Sequence, residues 1–312
     1  MASSSGGSVP SPSLTILIAG ASGLVGRALV AHLTEGGHRV VRLVRRDPTQ
    51  PNELRWDPSR GEIDRAGLEG ADAIVNLAGE NVGDGRWSKA RRAAILESRI
   101  ASTGLLARAA AELTRRPRVF VSASGVGIYG LERDQPADET APVGGGFLAE
   151  VCAAWEAAAE PARSAKIRTV AMRLGVVLSK EGGALAKMLP AFKLGAGGPI
   201  GGGRQWLSWI SMRDAVRAFA RAIDDPRLAG PVNVVAPEPV MQRDFAMTLG
   251  RVLKKPVGLP VPRLAITAMF GEMGRETVLA SQRAMPKKLL DVGFRFDHPS
   301  LLTALEAELP RS

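Results

Sequence analysis

The 312-residue chain has one cysteine, one tyrosine, three histidines and no apolar run near the roughly 20 residues that span a bilayer. Because Cys152 stands alone, no internal disulfide can form, which favours a reducing compartment; we expect the cytoplasm. So few histidines and cysteines leave no cluster with metal-ligand spacing, and no metal site is predicted. The sequence predicts no membrane partner.

Aromatic residues are also scarce, at 4% of the chain. The formal net charge of +10 is typical of proteins that meet polyanions. However, the basic residues are spread along the chain, and so few aromatic rings offer no platform on which bases could stack. We therefore predict no nucleic-acid partner and assign part of the basic excess to an anionic cofactor.

Small and polar residues make up the first thirteen positions, which read M-A-S-S-S-G-G-S-V-P-S-P-S. Such a segment has nothing to bury, and its two prolines oppose regular structure. It also lacks the apolar centre of a secretory signal and the arginines of a transit peptide. Residues 1–13 are predicted to be a disordered lead.

An apolar strand then runs into glycines spaced three apart and an amphipathic helix, as L-T-I-L-I-A-G-A-S-G-L-V-G. In this pattern the first glycine permits a sharp turn, the second keeps the backbone clear for phosphates, and the third lets the helix approach the strand. The helix N-terminus then faces the pyrophosphate. Ordinary chain reversal is the alternative. The predicted cofactor residues here are Gly20, Ser22, Gly23, Leu24, Val25 and Gly26.

The next strand, Arg39 to Val44, ends at Arg45 and Arg46. Proteins specific for NAD usually carry an acidic residue at this strand end, which accepts from the ribose 2′-hydroxyl. An arginine suits the 2′-phosphate instead. The alternative is a solvated strand end with no ligand. We predict that both arginines contact the cofactor and that the cofactor is NADP(H).

Strands and helices alternate along most of the chain, which predicts an α/β fold with a Rossmann-type, doubly wound parallel sheet. Trp56 to Pro58 and Gly61 indicate a loop. We expect the cofactor domain to cover residues 14–180 and a smaller, partly interleaved substrate lobe to cover 181–312. A strand near 231–235 is expected to return to the sheet.

Several motifs resemble those of one family along nearly the whole chain. They are V-N-L-A-G-E-N at 75–81, R-L-G-V-V-L at 173–178, L-G-A-G-G-P-I-G-G-G-R-Q-W-L-S-W-I at 194–210 and P-K-K-L-L at 286–290. The chain resembles the extended short-chain dehydrogenase/reductase superfamily, and within it the "epimerase family proteins" that include nucleoside-diphosphate-sugar epimerase and cell-division-inhibitor-like proteins. The resemblance implies cofactor contacts at Arg45, Leu77, Ala78, Gly79, Arg99 and Val177.

The chain departs from this superfamily where proton transfer would occur. Relatives use a Ser or Thr and a Tyr-x-x-x-Lys pair, whose lysine lowers the tyrosine pKa. Ser122 and Ser124 fit the first role, but Phe147 or Leu148 replaces the tyrosine and Val151 or Cys152 the lysine. The only tyrosine, Tyr129, lies where relatives have a structural residue. The substitute proton carriers to consider are Asp138, Glu139, Glu150 and Cys152.

Two functions remain open from the sequence. The first is an NADP(H)-binding, epimerase-like oxidoreductase that acts on a small molecule, with a nucleotide-linked sugar as one candidate. The second is a non-catalytic NADPH-binding regulator or scaffold. A homodimer is an alternative to a monomer. The dense glycines of 195–203 predict a mobile flap that reaches to Trp209 and uses Trp206 and Trp209 as its apolar face.

Overall fold

The computed structural model describes residues 13–309, and its centre is an eight-stranded sheet in the order β12-β8-β6-β5-β1-β2-β3-β4. All strand pairs in this sheet are parallel except the last. The sheet strands are β1 (Thr15–Ala19), β2 (Arg39–Val44), β3 (Glu53–Asp57), β4 (Glu62–Ile63), β5 (Ala73–Asn76), β6 (Val119–Gly125), β8 (Arg168–Leu174) and β12 (Gly230–Val234). The shorter strands are β7 (Glu132–Ala137), β9 (Val176–Leu178), β10 (Trp206–Leu207), β11 (Trp209–Ser211), β13 (Val240–Met241) and β14 (Ser281–Ala284).

Helices cover both faces of the sheet. They are α1 (Leu24–Glu35), α2 (Lys89–Glu112), α3 (Phe147–Ala157), α4 (Glu160–Ser164), α5 (Gly183–Lys193), α6 (Met212–Asp224), α7 (Gln242–Leu253), α8 (Arg263–Met273), α9 (Lys287–Asp291) and α10 (Leu301–Glu308). On one face, Ile16 and Ile18 of β1 pack in a core with Phe219 of α6. On the other, Leu17 packs with Leu106 of α2. Alternate residues of one strand thus enter two cores, which confirms the doubly wound fold.

The predicted lead lies outside the described residues except for Ser13, whose hydroxyl donates to the Gly37 carbonyl at 2.7 Å. The strand expected near 231–235 is Gly230–Val234, which pairs with β8 at the edge of the sheet. Residues on both sides of it form a smaller lobe, in which α5, α7 and α10 share a core around Trp209 and Phe245. Helix α9 instead packs Leu289 into the core beside β12.

Two local predictions are wrong. Trp56 and Asp57, expected in a loop, belong to β3, which extends the sheet beyond β2. The indole of Trp56 is only 2% exposed and packs under this edge, so burial outweighs the turn signal of the following Pro58. The apolar run from Thr169 to Leu178 predicts one strand, but the structure divides it into β8 and β9 at Gly175. The backbone of Ser208 approaches closely there, so that a side chain at 175 would meet its carbonyl oxygen at 2.6 Å.

Candidate cofactor and substrate site

A cavity of about 1040 Å³ opens at the carboxyl ends of β1, β2 and β5. Ligands of doubly wound sheets bind at this edge, beyond the strand ends. The predicted cofactor residues that line the cavity are Gly20, Ser22, Gly23, Arg45, Arg46, Leu77, Ala78 and Gly79. One cavity therefore joins the glycine loop, the basic strand end and the end of β5.

The glycine loop is shaped by backbone that approaches it closely. Gly20 has a φ of +77°, and a side chain there would meet the Leu77 carbonyl carbon at 2.6 Å. At Gly26, a side chain would lie 2.1 Å from the Gly20 carbonyl oxygen, so this glycine lets α1 press against the loop. Gly23 precedes α1 without any side-chain cap. The first N–H groups of α1 are therefore left for an anion.

At the end of β2 the two predicted arginines differ. Arg46 donates two hydrogen bonds to Glu53 of β3, at 2.7 and 2.9 Å. Arg42 lies 3.2 Å from the same carboxylate, and the Thr49 N–H donates to it at 2.9 Å. The Arg46 hydrogen bonds, with that of Thr49, lower the pKa of Glu53 to about 2. Glu53 is thus a charged carboxylate that neutralises Arg46.

Arg45, in contrast, is exposed at the cavity and forms no ion pair within residues 13–309. It is the free cation at this strand end. Sequence reasoning missed Glu53 because the carboxylate comes from β3, seven residues beyond Arg46, in a segment interpreted as the approach to a loop. The alternation of polar and apolar residue types in E-L-R-W-D was the available signal in the sequence.

Behind the cavity, buried hydrogen bonds fix the end of β5. Asn76 donates to Thr103 of α2 at 2.8 Å, and its side-chain oxygen accepts from the Ala78 N–H at 3.1 Å. The Trp155 indole donates to the same Thr103 hydroxyl at 2.9 Å. This shared hydroxyl links α2, α3 and the Leu77–Gly79 turn into one rigid wall.

The other predicted cofactor residues do not line this cavity. Arg99 is 8% exposed, stacks 4.7 Å from the Trp155 ring and lies directly behind Gly79. Burial lowers the pKa of its guanidinium. Val25 and Val177 both pack against the core between the sheet and α6. Leu24 contacts the loop that precedes α5, and Gly26 lies against Gly20.

At the end of β6 the two candidate serines are turned inward. Ser122 and Ser124 are each 3% exposed. The Ser124 hydroxyl donates to Glu156 of α3 at 2.8 Å, and Glu156 is held by two hydrogen bonds from Arg173, at 2.8 and 2.9 Å. Arg173 also donates to the Tyr129 hydroxyl at 3.0 Å. The Ser124 hydroxyl therefore donates its hydrogen bond to the ion pair of Glu156 and Arg173. Only its oxygen remains available, to accept a hydrogen bond from a substrate.

Tyr129 completes that network. Its hydroxyl is 2.7 Å from the Asn233 side-chain oxygen, and the residue is 2% exposed. Burial raises the pKa of the phenol. Asn233 in turn donates to the carbonyls of Ala137 and Met285, which joins β12 to the small lobe. The tyrosine connects the two parts of the chain and is not exposed to a ligand.

Helix α3 presents different pairs to its two neighbours. Leu148 lies against Gly127, and Cys152 lies 3.6 Å from where a Gly125 side chain would begin, so both face the end of β6. Phe147 and Val151 instead pack with Ile95 of α2. Of the alternatives left by the sequence, Leu148 and Cys152 are the pair that faces the end of β6.

A carboxylate from the small lobe caps this helix. Glu276 accepts from the N–H groups of Phe147 and Leu148, at 3.2 and 3.1 Å, and is 7% exposed. The preceding Gly146 has a φ of +111°, and a side chain there would meet both carboxylate oxygens at 3.0 Å. Glu276, more than a hundred residues further along the chain, thus holds the start of α3 in place.

Most of the substitute proton carriers have structural partners. Asp138 accepts from the N–H and the hydroxyl of Thr140. Glu139 is 6% exposed and accepts from the backbone of Asn233 and Lys288. The Cys152 thiol is buried, and burial raises its pKa to about 11. Glu150 is exposed on α3.

The predicted flap is built differently from the expectation. Trp209 is fully buried, and its indole donates to the Glu238 carbonyl at 3.0 Å, so it belongs to the core of the small lobe. The glycine segment is fastened to a second loop through Gly258 N–H to Gly197 O and Val261 N–H to Pro199 O, both at 2.7 Å. Motion of the segment stays a prediction.

Residues 13–309 contain neither a membrane-spanning helix nor a cluster of metal-ligating side chains. No helix in this range is long and apolar enough to cross a membrane. No three side chains among its His, Cys, Asp and Glu residues are grouped so that they could hold a metal ion.

The chain is similar to known proteins over nearly its whole length. A model described as the NAD dependent epimerase/dehydratase family matches residues 16–235, and a domain of unknown function, DUF1731, matches 261–308. Epimerase family protein Mb2239 of Mycobacterium bovis is 44% identical over 290 residues, which cover 93% of this chain and 96% of that protein. The smaller lobe thus contains a domain that the family model does not include.

Solved structures agree with this assignment. Human epimerase family protein SDR39U1, crystallised with NADPH, superposes with a TM-score of 0.86 at 32% identity and covers 96% of this chain and 100% of its own. UDP-glucose 4-epimerase of Thermus thermophilus, crystallised with NAD, is 20% identical with a TM-score of 0.73 over 96% of this chain and 100% of its own, a likeness of fold. The family model matches more than half of the chain, and the Mycobacterium bovis relative is similar over nearly its whole length. The chain therefore belongs to the NAD dependent epimerase/dehydratase family.

Proposed function

We propose that the chain binds NADP(H) in the cavity and is an epimerase-type oxidoreductase with a small-molecule substrate. The observation that carries the proposal is Arg45, an exposed guanidinium with no acidic partner in the described chain, in the cavity that also receives the uncapped start of α1. A planar guanidinium suits the 2′-phosphate, and a helix N-terminus suits the pyrophosphate. The NADPH in the human relative supports the same cofactor here.

Other predicted residues would support this cofactor, some from the cavity wall and some from positions that do not line the cavity. Leu77 and Ala78 would contact the adenosine side, and Gly79 would leave room for it. Arg99, behind Gly79, would hold that turn in place, and Val177 would lie toward the nicotinamide. Bound NADP(H) would supply hydride transfer, and the chain would supply binding and orientation.

For the substrate we propose an anionic small molecule, with nucleotide-linked sugars as the first class to test. The support comes from Arg133 and Arg283, which lie on the paired strands β7 and β14. The guanidinium of Arg283 lies 4.3 Å from the Trp206 ring, and the Nε atoms of Arg283 and Arg133 are buried without a hydrogen-bond partner among residues 13–309. Unpaired guanidinium groups beside an aromatic ring suit a phosphate next to a base.

The test is a panel of nucleotide-linked sugars incubated with the full chain and NADP⁺. We expect the near-ultraviolet absorbance of reduced nicotinamide to rise with at least one of them, and the rise to weaken in Arg283→Ala. If no sugar of the panel gives a signal although NADP⁺ binds, the substrate proposal is wrong.

A non-catalytic NADPH-binding regulator is the second candidate. It is favoured by the inward-facing Ser124 and by the apolar pair Leu148 and Cys152 on α3. The two candidates differ in one observation. An oxidoreductase gives a substrate-dependent change in nicotinamide redox state, whereas a regulator binds NADPH tightly and leaves it unchanged with every ligand.

A further inference from the structure

The three most exposed large apolar side chains of the described chain are Leu194, Leu259 and Leu264, at 84%, 89% and 79% of full exposure. All three lie in two segments, 182–213 and 245–271, that contain no aspartate and no glutamate. Single exposed apolar residues are ordinary on protein surfaces, but their concentration in acid-free sequence is not.

The two segments are neighbours in the structure. Backbone hydrogen bonds join Gly258 to Gly197 and Val261 to Pro199, both at 2.7 Å. Another runs from the Gly201 N–H to the Val261 carbonyl at 2.8 Å. The loops that carry the leucines therefore form one face, which we call the leucine face: residues 193–203 and 254–264.

Basic side chains surround the leucines on this face. Lys193, Lys254, Lys255 and Arg263 are all exposed, and none forms an ion pair within residues 13–309. Elsewhere arginines commonly meet a carboxylate, as Arg92 does with Glu272 at 2.8 Å. The leucine face thus combines protruding apolar side chains with positive charge that the chain itself leaves unneutralised.

We propose that the leucine face binds the surface of an anionic lipid bilayer. Leucine side chains can enter the boundary between headgroups and acyl chains, while lysine and arginine are attracted to anionic headgroups. The proposal is independent of the cofactor site, requires no spanning helix, and departs from the sequence-based expectation of no membrane partner.

Charge and composition argue against other occupants. A symmetric contact with a second copy would bring the same lysines together across the interface. A nucleic acid would gain nothing from exposed leucines, and the face offers no aromatic ring for stacking. An acidic protein partner is the remaining competitor, and the experiment separates it from a bilayer because the assay contains lipid alone.

The experiment is co-sedimentation of the full chain with vesicles of pure phosphatidylcholine or of an equimolar mixture with phosphatidylglycerol. We expect binding to the anionic vesicles only, and loss of binding at high salt. Lys193→Gln with Lys254→Gln and Lys255→Gln should weaken binding by about tenfold or more. Leu194→Ser with Leu259→Ser should weaken it comparably, because insertion is lost.

The matched control is Leu290→Ser with Arg108→Gln, which removes an exposed leucine and an exposed arginine outside the leucine face. It should bind vesicles as the wild type does. NADPH binding and thermal unfolding of each variant show that it is folded. The proposal is overturned if the wild type ignores anionic vesicles, as with an acidic protein partner, or if the control loses as much binding as the leucine-face variants.

Discussion

Among single residues, Glu53 determines which arginine is available at the end of β2. Its carboxylate is shared by Arg46 and Arg42, whereas Arg45 has no acidic partner within residues 13–309 and stays available to a ligand. A side chain from the neighbouring strand therefore makes two consecutive arginines differ in whether they are available to a ligand. The pair looks equivalent in the sequence, and only one member is free in the fold.

The lowered pKa of Glu53 predicts how acid acts on stability. A carboxyl whose folded pKa lies below its ordinary value of 4.5 stabilises the fold above that pH, and the contribution is lost as the pH falls toward the folded value of about 2. Glu53→Gln removes this group, so its free energy of unfolding should fall less steeply than that of the wild type over this range. Urea unfolding at each pH measures the slope.

Glu62→Gln is the control for that measurement, because Glu62 is half exposed on the next strand and pairs with Arg60 at the surface. Its pH slope should match the wild type. Parallel slopes for Glu53→Gln and the wild type would show that the carboxylate of Glu53 does not stabilise the fold.

Cys152 should be chemically inert in the folded chain. Burial raises the pKa of its thiol to about 11 from an ordinary 9.0. The thiolate is the nucleophile, so its fraction at neutral pH is about a hundredfold lower than in the unfolded chain, and burial hinders access further. Alkylation by iodoacetamide, followed by mass spectrometry, should be at least that much slower without urea than with it. Equal rates would identify a reactive thiol.

Among the helices, α3 matters most for function, because a proton donor would be expected on it. The resemblance to the superfamily implies a Tyr-x-x-x-Lys pair on this helix, where the sequence has apolar residues, but only packing shows that Leu148 and Cys152 face the strand end. A positioned acid contributes about 10²–10⁴ in rate, so reduction of simple ketones by the wild type should be slow. Leu148→Tyr with Cys152→Lys should raise that rate, measured as NADPH oxidation.

The comparison variant is Phe147→Tyr with Leu148 and Cys152 unchanged, which places a phenol on the face that packs against α2. It should leave the rate unchanged. Thermal unfolding establishes which variants are folded. Wild-type turnover of ketones at about 10 s⁻¹, a typical enzyme rate, would mean that another group already supplies the proton.

The start of α3 depends on Glu276, which comes from the far end of the chain. Glu276→Ala removes the acceptor of two buried N–H groups, and loss of a helix cap costs about 0.5–2 kcal/mol. The free energy of unfolding in urea should fall by at least that amount. Glu132→Ala, an exposed glutamate on β7, is the matched control and should change it little. Equal effects of the two variants would mean that Glu276 does not cap the helix.

For the whole molecule, the sequence predicts the features that depend on local motifs and on the periodicity of apolar residues. The glycine loop, the parallel sheet and the return of the strand at 230–234 follow from apolar runs and spacing. Glu53, Glu276 and the inward turn of Ser124 do not, since each depends on a partner brought close only by tertiary packing. Trp209 was misassigned for the same reason: an indole near glycines resembles a flap until its burial is known.

The central claim is that Arg45 binds the 2′-phosphate of NADP(H) in this cavity. The most direct test is a fluorescence titration of the wild type and Arg45→Ala with NADPH and with NADH. A charge-assisted contact contributes about 1.5–3 kcal/mol, so NADPH should bind about tenfold or more tightly than NADH, and Arg45→Ala should abolish the difference while leaving NADH affinity unchanged. Equal affinities of the wild type for both cofactors, or an unchanged preference in Arg45→Ala, would contradict it.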